Sequence, residues 1–249
     1  MRNPFRRRPR AADGRMTLVE HLAELRYRLI VSLVAVAAGA VVAFMAYSSI
    51  LEVLLDPYCE ILPSGRDCNL VIRDPLEGFA TRLRVAGWSG LVLASPVVLW
   101  QLWRFVTPGL NPKEKRYAVP FVLTSVVLFL AGGTLALATF PRALDFLVTV
   151  GGPDIDTLFS PAPYLRLVIL MIVAFGLAFE LPVVLVFLQL AGVVTSRRLA
   201  SWRRYAIVTV FVVAAVITPS QDPWTLLAMA LPMTLFYEGA ILVGRLLKR

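Results

Sequence analysis

The chain has 249 residues, 58% of them apolar and 16% charged, with a net charge of +9 and a mean hydropathy of +0.75. Soluble domains run at roughly 45–50% apolar and about 25% charged, and a chain of this size exposes too much surface to conceal the excess. A soluble enzyme, a disordered chain and a disulfide scaffold are excluded; the surplus apolar surface has to face lipid.

Residues 1–16 form a basic tail carrying the run FRRRPR. A secretory signal sets its basic region directly against an apolar stretch of roughly 7–15 residues. Here about twenty residues intervene before the first apolar run, so the tail is expected to stay uncleaved, beside anionic lipid. The next segment reads MTLVEHLAELRYRL. Thr17 and Glu20 have capping-box spacing, which predicts a helix start. Leu18, Leu22, Leu25 and Leu29 share one face, with His21, Glu24, Arg26 and Arg28 mostly on the others. This amphipathic lead-in either lies on the membrane surface or merges with the first span. Glu24 admits two readings: an (i, i+4) pair with Arg28, worth a few tenths of a kcal/mol, or a lone carboxylate in a positive field, suited to a cationic ligand.

A spanning helix needs roughly 20 apolar residues. Six spans are expected, at about 29–51, 85–106, 117–140, 165–194, 205–218 and 223–243, within a domain of residues 17–244 followed by a short basic tail, 245–249. The last two are short for the task, since at ~1.5 Å per residue residues 206–218 cover only about 20 Å. Two outer loops, 52–81 and 141–163, carry Pro, Gly and Asp in the manner of turns. In the first, Cys59 and Cys68 flank a bend at Pro63-Ser64-Gly65. An even cysteine count on an oxidising face allows a disulfide, the alternative being two thiols.

Nineteen of the 25 Lys and Arg fall on the side of the two termini, and ten of the 16 acids on the other. The positive-inside rule then places both termini in the cytoplasm. It also accounts for the basic composition without a nucleic-acid partner, since no basic domain stands apart from the apolar runs. One histidine and two cysteines are too few for a structural zinc site.

The informative residues are the polar exceptions. In SPVVLWQLWRFVTPGLNPKEKRY, Trp100, Trp103 and Phe105 sit where an aromatic belt meets the interface. Thr107-Pro108-Gly109 must stop the helix, and Glu114 is the one acid among Lys113, Lys115 and Arg116. A solvated charge cluster is the plain reading. Glu24 and Glu114 together, on one basic face, also offer bidentate partners to paired guanidiniums. Glu180 lies near mid-span, where a charge costs at least ~2.5 kcal/mol and marks a functional site by default. Pro182 should kink the helix there; the alternative role for Glu180 is a protonated acid bonded to a neighbouring helix. Asp222, before Pro223 and Trp224, suits a turn or helix cap. No phosphate loop, H-E-x-x-H or G-x-S-x-G is present, so neither an enzyme nor a cofactor is expected.

These segments together resemble the TatC family, the polytopic core of the twin-arginine protein translocase. The likeness runs from Thr17 to about Gly244. It rests on His21-Leu22-x-Glu24-Leu25-Arg26-x-Arg28-Leu29; on Pro96 with Gln101-x-Trp103-x-Phe105-x-x-Pro108-Gly109-Leu110 and Glu114; on Phe175-Gly176-x-x-Phe179-Glu180-x-Pro182; and on Thr218-Pro219 with Asp222. The chain departs from that pattern at Trp100, at Leu226, and in an outer turn one residue longer before the acid. The resemblance implies an all-α, inner-membrane protein of a bacterial cell, shaped as a concave, glove-like bundle with two ordered outer loops. It implies a receptor for twin-arginine signal peptides of folded cargo, with Glu24, Glu114, Phe105, Arg26 and His21 at the peptide site. Glu180, Asp222 and Pro57 are implied in the groove or at partner contacts. Single-span TatA/TatB-type subunits, self-association, surrounding lipid and drive by the proton-motive force complete the implied picture. Two other classes stay open at this level: a small secondary transporter working through Glu180, and a passive scaffold that binds no peptide. Transporters usually converge several polar groups or broken helices in the membrane, and Glu180 stands almost alone.

Overall fold

The computed structural model describes residues 18–61, 70, 72, 74–106, 118–150, 152 and 160–247. Thr17, Cys68 and Glu114 lie outside the described residues, as do the tail 1–16, the stop at 107–109 and residues 248–249. Among the described residues helix is the only regular secondary structure: α1 (Leu18–Met45), α2 (Tyr47–Ile61), α3 (Pro75–Leu93), α4 (Ser95–Val106), α5 (Ala118–Val150), α6 (Pro161–Ala178), α7 (Leu181–Leu190), α8 (Ser196–Ser201), α9 (Arg203–Ile217) and α10 (Pro223–Leu246).

Among the described residues, four stretches are long and apolar enough to cross a bilayer: Val19–Met45, Val119–Val150, Pro161–Leu190 and Pro223–Leu246. The pair α3–α4 passes the same test as one span bent by 54°. The 15 residues of α9 reach about 22 Å at ~1.5 Å per residue, short of a hydrocarbon core of ~30 Å. Of the two closing helices, then, only α9 is short; α10 has 24 residues and spans unaided.

The helices depart from the expected span limits in instructive ways. The amphipathic lead-in does merge with the first span, giving α1 its 28 residues. The stretch read as the first outer loop is largely helix, because α2 runs to Ile61 and α3 starts at Pro75. Leu51, Leu54, Leu55 and Tyr58 recur at helical spacing and pack into the core beside Phe140, Tyr164 and Phe175. The second outer loop is likewise shorter than expected. Pro141 does not end α5, since Ala143 and Leu144 beyond it are buried and hold the helix to Val150. The region read as one span, 85–106, is broken at Ala94. Pro96 has no N–H to offer the carbonyl of Val92, so the ladder fails just ahead of it.

The core lies where α2, α3, α5, α6 and α10 converge, around Phe140, Leu144, Leu165, Met171, Phe175 and Met229. Outside it the pattern of a soluble protein is inverted. Leu29, Leu33, Val34, Val41 and Val42 of α1 are all more than half exposed, as lipid-facing residues should be. Helix pairs close on small residues. A Cβ at Gly39 of α1 would stand 2.7 Å from the Gly90 carbonyl oxygen of α3, and one at Gly132 of α5 would stand 2.5 Å from the Phe175 carbonyl oxygen of α6. Such backbone approach is how membrane helices gain packing without a hydrophobic drive.

Three polar links tie the end opposite the α1 start. Arg82 of α3 donates Nη2 to the Phe44 carbonyl at 3.1 Å, where α1 leaves carbonyls unpaired and its dipole favours a cation. The guanidinium also lies over the rings of Phe44 and Tyr47, at 4.4 and 5.2 Å. Glu77 of α3 accepts from the Ser160 hydroxyl and from Ala162 N at the start of α6, a cap supplied from another helix, since Ser160 does not cap with its own side chain. The Tyr164 hydroxyl donates to the Leu54 carbonyl at 2.8 Å, within the turn that Pro57 interrupts.

Candidate functional site

At the opposite end the first turns of α1 meet the last turns of α4. Arg28 donates Nη2 to Glu24 Oε1 at 2.5 Å and Nη1 to Gln101 Oε1 of α4 at 3.0 Å. The Glu24 and Arg28 side chains are only 19% and 12% exposed. The (i, i+4) pair read from the sequence therefore exists, but not as a solvated surface pair; it is sandwiched at a helix contact, where charge attraction is screened less. Glu24 Oε2 and Arg28 Nε are both buried with no hydrogen-bond partner among the described residues. One turn earlier, His21 stacks on Phe105 of α4 with ring centroids 4.5 Å apart and planes 23° off parallel. Arg26 is exposed and, two residues from Glu24 and Arg28, leaves the helix on a different side. The structure thus brings together Glu24, His21 and Phe105 from segments about eighty residues apart; Glu114 is outside the described residues.

Gln101 is the residue this reading underrated. It stands in the motif yet was assigned no task, although it is the one uncharged polar side chain among 97–106. A half-buried amide in an apolar helix needs a partner, and here that partner is Arg28. Just below, the Trp103 indole donates Nε1 to Ser125 Oγ of α5 at 3.2 Å and packs on Phe121 and Phe187, locking α4 against α5 and α7.

Glu180 sits at the break between α6 and α7, in the N-cap position of α7 but without a side-chain cap. The break falls at Phe179–Glu180, ahead of Pro182, because Pro182 cannot donate to the Ala178 carbonyl. Its Oε1 is buried with no partner among the described residues. A cavity of about 480 Å³ opens nearby between α5, α7 and α10, walled by apolar side chains such as Phe121, Val183, Val186 and Phe236 with Thr124 as a polar exception.

Asp222 and Pro57 are placed away from that cavity's walls. Asp222 is 0% exposed and caps α10: Oδ1 accepts Thr225 N at 2.9 Å, Oδ2 accepts Ser220 Oγ at 2.5 Å, and the Thr225 hydroxyl also donates to it. Both of its oxygens are engaged inside the α9–α10 turn, as the cap reading describes. The turn's extra residue, Gln221, takes a positive φ of 49°. Pro57 is buried inside α2. Cys59, two residues on, is disulfide-bonded.

The chain is similar to proteins of one kind throughout. Residues 20–232 match the family described as "Sec-independent protein translocase protein (TatC)". A relative of that description from Frankia casuarinae is 42% identical, with 96% of this chain and 68% of the relative covered; one from Aquifex aeolicus is 41% identical, with 94% and 97% covered. The crystal structure described as "Twin Arginine Translocase Receptor- TatC" superposes with a TM-score of 0.74 at 40% identity, over 92% of this chain and 100% of the other. Matched along nearly its whole length by family, relatives and fold alike, the chain belongs to the TatC family: it is a non-enzymatic, multi-pass membrane subunit of a bacterial Tat translocase.

Proposed function

We propose that this chain is the translocase's signal-peptide receptor, taking the arginine pair of the peptide at the end where α1 meets α4. The observation that carries this reading is the Glu24 carboxylate, held at a nearly buried helix contact with one oxygen still unpartnered. In this reading Glu24 takes one guanidinium and Glu114 the other, by charge-assisted bonds of ~1.5–3 kcal/mol each. The stacked His21–Phe105 pair forms the apolar wall beside them, and Arg26 sets the local field. The side bearing this site carries nineteen of the 25 cations, so it is cytoplasmic, with both termini on that side. Cytoplasmic placement is what a receptor for cargo folded before export requires.

Glu180 supports docking or gating by single-span TatA/TatB-type partners along the groove, with transport drawing on the proton-motive force. Asp222 and Pro57 serve that surface at one remove, by fixing the α9–α10 turn and the course of α2. Copies of the chain associate with one another and with surrounding lipid. The Glu180 site alone does not make a solute transporter, since a second intramembrane carboxylate does not converge on it among the described residues. The test is the affinity of a twin-arginine signal peptide for the full chain in nanodiscs, against the Glu24→Ala plus Glu114→Ala variant. Loss of at least about 100-fold is expected, being two charge-assisted bonds of ~1.5 kcal/mol or more at tenfold per 1.4 kcal/mol. Unchanged binding overturns the reading.

A further inference from the structure

A carboxylate that must distinguish arginine from lysine has to hold still. An ammonium is a compact point charge that accepts almost any approach, whereas a guanidinium is a planar fork that rewards a fixed acceptor. Glu24 is anchored in the required manner, and the anchor is itself a guanidinium. Arg28 spends its two terminal nitrogens on different helices, Nη2 on Glu24 Oε1 and Nη1 on Gln101 Oε1. Its planar geometry ties the direction of one bond to that of the other, so Gln101 of α4 sets the carboxylate orientation on α1 through Arg28. Among the described residues only Oε1 is taken, and Oε2 has no partner.

We infer that Arg28 and Gln101 are the specificity-determining pair of the peptide site: they orient Glu24 so that Oε2, buried until the peptide enters the α1–α4 contact, pairs there with a planar guanidinium in preference to an ammonium. This rests on the receptor reading given above. Arg28 touches no ligand in this scheme and is a positioning residue. Lysine cannot replace it, because one ammonium on a flexible stem does not couple the two bond directions.

The experiment measures the affinity of the full chain in nanodiscs for two synthetic signal peptides, identical except for Arg-Arg or Lys-Lys. Arg28→Lys keeps the positive charge beside Glu24, and Gln101→Leu removes the α4 tether at nearly constant volume; the second serves if the first folds poorly. Both variants are expected to weaken Arg-Arg binding by about tenfold while changing Lys-Lys binding by less than about twofold, so that discrimination collapses. An equal fall for the two peptides would mark a purely structural role and overturn the inference, as would wild-type discrimination in both variants. Glu24→Gln separates the levels. If it abolishes the preference while Arg28→Lys and Gln101→Leu keep it, only the positioning role fails. If Glu24→Gln itself leaves Arg-Arg binding intact, the receptor site is elsewhere and the inference falls with it.

Discussion

Replacing Asp222 by alanine removes a side chain with both oxygens in use inside a fully buried turn. The first loss is the N-cap of α10, the Oδ1 acceptor for Thr225 N, worth about 1 kcal/mol with a range of roughly 0.5–2. The second is Oδ2, which serves the Ser220 and Thr225 hydroxyls. Those hydroxyls lie 2.9 Å apart and can still satisfy each other once, which leaves the other donor only a weak acceptor, the residue-222 carbonyl at 3.5 Å for Thr225 or Met171 Sδ at 3.7 Å for Ser220, at about 1–3 kcal/mol. The sum is a destabilisation of roughly 1.5–5 kcal/mol. Asp222→Asn keeps the cap oxygen and presents an amide to hydroxyls that can turn to accept, so it should cost about 1 kcal/mol or less. The assay is reversible unfolding of the purified chain in mixed micelles, with amide exchange at Thr225 as the local readout. Thr225→Ala should be markedly non-additive with Asp222→Ala, since the two share one network. An Asp222→Ala protein within about 0.5 kcal/mol of wild type would refute the reasoning.

Other substitutions probe other links. Gly90→Ala puts a Cβ 2.6 Å from the Ala40 Cα, whereas nothing lies within 4 Å of a Cβ at Gly87; the first should cost about 1–3 kcal/mol by overpacking and the second should be neutral or slightly stabilising in the same unfolding assay. Gln221→Gly should stabilise by about 0.5–1 kcal/mol by relieving the left-handed φ, and Gln221→Val should destabilise; the reverse order would show that the turn is not strained. Glu180→Leu removes a buried oxygen that has no partner among the described residues, so stability should hold or rise while export of twin-arginine cargo falls. Full export by a stable Glu180→Leu protein would leave that glutamate without a transport role.

The sequence carried the fold class because its longest signals are lipid-scale. Apolar runs such as those of α1, α5 and α6–α7 need no tertiary context to be seen. What it hid were helices whose stability comes from packing. The stripe Leu51, Leu54, Leu55, Tyr58 has helical spacing, but acids at Glu52, Asp56 and Glu60 between them read as loop until α5 and α6 are there to cover the apolar side. Pro141 misled for the same reason: Ala136, Phe140, Ala143 and Leu144 form one buried stripe across it, and that burial outweighs one missing hydrogen bond. Pro96 acted the other way and broke a run that hydropathy alone joins. At the site, the residue types of Glu24, His21 and Phe105 were legible as exceptions on a basic face. Their assembly was not, because it depends on Arg28 and Gln101 meeting across 73 positions. Asp222 was legible as a cap from its place before Pro223, and in the fold it does that work within a buried network.

The account's central claim is that the α1–α4 contact receives the signal peptide. Its most direct test is photocrosslinking from a photoreactive residue at position 105, beside His21, with a probe at Leu33, an exposed lipid-facing position of α1, as reference. A twin-arginine signal peptide should crosslink strongly from 105 and hardly at all from 33, and the adduct at 105 should vanish with Glu24→Ala plus Glu114→Ala. Equal labelling from both positions, or an adduct at 105 that survives loss of the two acids, would contradict it.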